Sequence, residues 1–96
     1  MGAVIHSPLA GVSRALIASA ALDFNLTAVA TQDLTITVTG AVLGNPVALG
    51  VPNASLTADT LFWAWVSATD TVTVRATRIA GTPNPASGTF TVVVLQ

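Results

Sequence analysis

At 96 residues the chain is sized for one compact domain, and a hydrophobic fraction of 52% is ample for its core. Only 7% of residues are charged, three Arg and four Asp with no Lys and no Glu, against roughly 25% in an average globular chain. A net charge of -1 excludes the basic footprint that nucleic acid or anionic lipid requires, and the absence of cysteine excludes a disulfide scaffold, a thiolate nucleophile and Cys-ligated zinc.

The first 19 residues are small and apolar, punctuated by Pro8 and Gly11, and have no sustained period. They read as an extended N-terminal arm, with a domain boundary at 1–19 and 20–96. Within them Arg14, Ala15-Leu16-Ile17 and Ala18-Ser19-Ala20 imitate a signal-peptidase site. The apolar run before that site is far shorter than a signal peptide uses, so export by this route is not expected. Ala15 to Leu22 has helix-friendly composition but no clear cap, and reads as an edge strand or an extended entry into the domain.

From about Ala20 the hydrophobic period is two. Leu22, Phe24 and Leu26 alternate with Asp23, Asn25 and Thr27, and Leu34, Ile36 and Val38 alternate with Thr35, Thr37 and Thr39. The pattern returns at Val72 and Val74 and again at Phe90, Val92 and Val94. Such alternation belongs to strands with one buried and one wet face, and threonine suits the wet face because its branched side chain fits the pleat while its hydroxyl stays hydrated. Val47 to Val51 is a shorter run. Leu61-Phe62-Trp63-Ala64-Trp65-Val66 is apolar on both parities, which predicts a strand covered on both sides, either by an opposite sheet or by another subunit.

Turn chemistry separates the runs at Gly40, Gly44-Asn45-Pro46, Gly50-Val51-Pro52-Asn53, Ala68-Thr69-Asp70 and Gly81 to Gly88. The expected fold is all-β: a single β-sandwich, jelly-roll or Ig-like, with about seven or eight short antiparallel strands. The mean hydropathy of +0.76 raises a membrane reading. The long uncharged stretch from Leu34 to Ala58, however, is broken by Gly40, Gly44, Pro46, Gly50 and Pro52, and the aromatic girdles of a membrane barrel are missing. No membrane and no nucleic-acid partner is expected.

Catalysis needs titratable groups that converge. Asp33, Asp59 and Asp70 sit at strand starts or turns, where carboxylates cap backbone N–H groups, and Asp23 reads as a solvated strand-face residue. His6 is the only imidazole and no Asp-rich loop exists to hold Ca²⁺, so no enzyme activity, cofactor or metal is expected. Trp63 and Trp65 share one strand face and read as core or intersubunit seam, with a sugar-stacking platform as the other possibility. Arg75 and Arg78, at the end of a strand, suit either bidentate contacts to a neighbour's carboxylates or plain solvation.

The succession Leu22-Asp23-Phe24, Asp33 to Ala41, Gly44 to Gly50, Val66 to Arg75 and Asn84 to Val92 resembles a family of small β-sandwich domains in virion proteins of tailed bacteriophages. Its members are capsid decoration (cement) proteins, head fibres and terminal modules of tail fibres. Phe62-Trp63-Ala64-Trp65 departs from the family pattern, so no role is carried over to it. The resemblance implies a decoration protein on the outer surface of the capsid in the virion. Its partners would be the major capsid protein and further copies of itself, as a homo-oligomer, most plausibly a trimer. The alternative is a receptor- or glycan-binding module of a fibre or spike. Expected interface residues are Val4, Ile5, Leu9, Val12, Leu16 and Ile17 in the arm, with Trp63 and Trp65 in or beside the subunit seam.

Overall fold

The computed structural model describes residues 14–96, and every described element but one short turn is a strand. The strands are β1 (Ala15–Leu22), β2 (Thr31–Thr37), β3 (Val47–Gly50), β4 (Thr60–Ala68), β5 (Thr71–Arg78) and β6 (Gly88–Leu95); a single 3-10 turn, Asn53–Ser55, precedes β4. They form two three-stranded antiparallel sheets, ordered β1-β6-β3 and β2-β5-β4. The expectation of an all-β fold holds. The expected count of seven or eight strands does not, since the described residues contain six. The surplus came from the Leu22-Phe24-Leu26 alternation: Leu22 closes β1, and Phe24 and Leu26 are buried from an extended connector rather than from a ladder.

Residues 15–19, assigned above to an arm, are the first five of β1, which pairs with β6 from Ala15–Leu95 to Leu22–Gly88. β1 is an edge strand among the described residues, as its composition allowed. Helix-friendly alanines are overridden by packing here: Leu16, Ala18 and Ala20 turn inward against the core while Ile17 is 69% exposed.

The chain changes sheet on leaving β1, β2, β3 and β5; only β4 and β5 are joined as a hairpin within one sheet. The two inner faces share one core, built from Phe90, Val92 and Val94 on one side and Ile36, Val66, Val72, Val74 and Ala76 on the other. Phe24, Phe62 and Phe90, from a connector and from both sheets, meet at ring-centroid separations of 5.6, 5.6 and 5.5 Å with tilted or edge-on geometry.

Polar side chains lock the connections. Asp70, with φ 63°, turns the β4–β5 hairpin, and its Oδ1 accepts the Gly40 N–H at 2.8 Å. The capping role expected of Asp70 is therefore observed. Gln96 Nε2 donates to the Gly40 carbonyl at 2.7 Å and to Asn45 Oδ1 at 2.9 Å, tying the turn after β2 to the end of β6. Arg78 Nη1 donates to the Leu26 carbonyl at 2.9 Å, which pins the β1–β2 connector.

Candidate functional sites on two outer faces

The outer face of sheet β2-β5-β4 carries three cross-strand rows: Thr31, Thr77 and Leu61; Asp33, Arg75 and Trp63; Thr35, Thr73 and Trp65. Strand alternation puts these residues outward while Leu34, Ile36, Val72, Val74 and Phe62 point to the core. Within the chain the aromatic strand is covered on one face only. Leu61 is 52% and Trp63 42% exposed, so the opposite sheet does not supply the second cover expected of this run, and both tryptophans lie on the outer face rather than in the core. The double-parity apolar sequence arose because the outer face also holds apolar residues, so the alternation was invisible in the sequence.

The middle row is an ordered polar and aromatic array. Arg75 Nε donates to Asp33 Oδ1 at 2.7 Å and Nη2 to Oδ2 at 2.9 Å, a bidentate fork. The guanidinium carbon lies 4.9 Å from the Trp65 ring centroid and 5.9 Å from that of Trp63, within cation–π range of both. Hydrogen bonding to Arg75 lowers the Asp33 carboxyl below its ordinary value, and the same bond raises Arg75. A depressed carboxyl makes the pair stabilising above the ordinary Asp pKa, a contribution lost as pH falls through the lowered value. Asp33 is thus a cross-strand partner rather than the turn cap expected of it. Arg75 and Arg78 have different partners, Arg75 forking onto Asp33 and Arg78 Nη1 donating to the Leu26 carbonyl.

The outer face of sheet β1-β6-β3 is of different character. Its rows are Ala15 with Leu95; Ile17, Val93 and Ala48; Ser19, Thr91 and Gly50; Ala21 with Thr89. No residue of this face is charged. Ser19 Oγ and Thr91 Oγ1 are hydrogen-bonded to one another at 2.8 Å. Val42 and Leu43, 55% and 62% exposed, sit on the turn that Gln96 ties to the end of β6, at the margin of the same sheet.

Of the expected interface residues, Val4, Ile5, Leu9 and Val12 lie outside the described residues. Ile17 lies on the uncharged outer face, Leu16 on the inner face against the core, and Trp63 and Trp65 on the opposite sheet. Leu16 is partly buried and packs against the core. The sequence reading missed Ala48, Val93 and Leu95, whose shared face depends on β3 joining β6 across a separation no local pattern encodes.

Among the described residues no group of three or more His, Cys, Asp or Glu could hold a metal ion, and no helix is long and apolar enough to cross a membrane. No family model, curated protein or solved structure matches the chain.

Proposed function

We propose that this chain is a structural virion protein of a tailed bacteriophage, a capsid decoration protein that binds the outer surface of the assembled shell and adheres to further copies of itself as a trimer. The fold reading that accompanies it is a β-sandwich of jelly-roll or Ig-like kind. One observation carries the proposal: the outer face of β1-β6-β3 presents Ala15, Ile17, Ala48, Val93 and Leu95 with no charged residue. An apolar sheet face of this kind binds by removing area from water, at roughly 25 cal/mol per Å², and needs no charge complementarity. The sequence resemblance to phage β-sandwich proteins supplies the kind of partner.

A ligand that binds the assembled shell and not its free subunits stabilises the assembly by mass action. Many copies of a small adhesive domain bridging shell subunits act in this way without chemistry. The role is mechanical: Asp33 and Arg75 pair with one another, and Asp70 and Arg78 bond to backbone groups of the fold.

The test is co-sedimentation of the purified chain with assembled shells of the cognate phage. Wild type should pellet with the shells, and Ile17→Lys, which places a charge on the outer face of an edge strand, should remain in the supernatant with an unchanged thermal melt. Wild-type protein that fails to pellet, or Ile17→Lys protein that pellets equally, would reject the proposal.

A further inference from the structure

The second outer face has no part in that docking role. Its middle row places an indole 42% exposed, a guanidinium and a carboxylate side by side on three hydrogen-bonded strands. Arg75 has five N–H donors, of which Asp33 takes two, so three remain. Each Asp33 oxygen accepts one bond from Arg75 and keeps further lone-pair capacity.

We propose that the Trp63, Arg75 and Asp33 row is a binding platform for neutral carbohydrate. A pyranose has an apolar face of C–H groups and a rim of hydroxyls that both donate and accept. Trp63 offers a ring for the first, while Arg75 donors and Asp33 acceptors, in the same cross-strand row, serve the second. Charge selects the class. Arg75 and Asp33 neutralise one another through a bidentate pair, so an anionic or cationic ligand would have to compete with an existing counterion, whereas a neutral polyol bonds to both without breaking it.

Two features favour a built platform over scattered surface residues. Asp33 holds the guanidinium in place from a neighbouring strand, and Thr73, in the adjoining row of the same face, is buried with its hydroxyl donated to Ser67 Oγ at 2.6 Å. The platform also differs from a two-tryptophan stack. Arg75 approaches Trp65 more closely than Trp63, and Trp65 is half-buried, which leaves Trp63 as the open ring. Such a site suits a shell-surface protein and a fibre module equally, and it does not depend on the docking proposal.

The experiment is a titration of the full chain with neutral oligosaccharides of glucose, galactose, mannose and N-acetylglucosamine, followed by tryptophan fluorescence and by amide chemical shifts. At least one should give saturable binding, with shifts confined to β2, β4 and β5. Trp63→Ala should weaken it about tenfold or more, since stacking and its buried area contribute on the order of 1.4 kcal/mol. Asp33→Asn, which retains the side-chain shape and unbalances Arg75, should weaken it as well, and Ile17→Lys on the opposite sheet should leave it unchanged. Thermal melts of the variants show that each is folded. Absence of saturable binding across the panel, or binding that Trp63→Ala and Asp33→Asn both leave intact, overturns the proposal. Tighter binding of anionic than of neutral oligosaccharides overturns its assignment of ligand class.

Discussion

Gly88, the first residue of β6, lies against Pro52 and Ser55 of the connector before β4. A Cβ at this position would lie 2.7 Å from Pro52 Cγ, 3.1 Å from Pro52 Cβ and 3.2 Å from Ser55 Oγ. Neither neighbour yields easily, because proline is rigid and Ser55 is buried with its hydroxyl donated to the Ala86 carbonyl at 2.6 Å. Gly88→Ala should therefore cost roughly 1–3 kcal/mol by overpacking, seen as a lower midpoint in thermal denaturation. Gly50→Ala is the control, since its Cβ would meet only ordinary contacts at 3.5 and 3.7 Å. Equal melts for the two variants would show that the Pro52 contact is easily relieved. At this scale the sequence was informative about some residues and silent about others. Asp70 was legible as a turn residue because the positive φ of the β4–β5 hairpin is a local property, although the Gly40 N–H it caps is brought near only by the fold. The need for glycine at 88 and the Asp33–Arg75 pair were not, because each depends on a partner that only the folded chain brings near.

At the scale of elements, period-two alternation located β2, β5 and β6, whose inner and outer residues differ in polarity. It could not resolve β4, where both faces are apolar, or separate β1 from the residues before it, where alanine suits helix, strand and arm alike. β1 carries a consequence for the N-terminal arm. Removing every residue before Ala20 deletes Ala15–Ser19, including inward-facing Leu16 and Ala18, and uncovers the β6 edge from Thr91 to Leu95. Strand pairing and core contact are lost together, so this truncation should unfold the domain or lower its melting midpoint by many degrees. Removing only residues 1–13 leaves β1 whole, together with the Arg14–Gln96 backbone pair that extends the ladder. That shorter truncation should keep a dispersed amide spectrum and a cooperative melt. Native-like melting of the longer truncation would show that β1 contributes little to the fold. The shorter truncation is therefore the one that can separate a binding contribution of the arm from a folding contribution.

For the whole molecule, the low charge is distributed unequally between the two faces. The β2-β5-β4 face holds the Asp33–Arg75 pair among threonine hydroxyls, while the β1-β6-β3 face holds no charge at all. Hydration of the first face is supplied by its own residues; the second has only Ser19, Thr89 and Thr91 against Ala15, Ile17, Ala21, Ala48, Val93 and Leu95. Burying the second face in another copy would remove apolar area from water and break no ion pair, so association should be favoured and should not weaken as salt screens charge. Sedimentation equilibrium is the direct measurement: the mass should rise above that of the 96-residue monomer with concentration, equally or more strongly in high salt. Ile17→Lys should hold the protein at monomer mass, because a lysine on that face has no acidic residue there to pair with and would carry an unpaired charge into the interface. Association that dissolves in high salt would place the contact on the Asp33–Arg75 face instead, and a monomer at every concentration would remove self-adhesion from the proposed role.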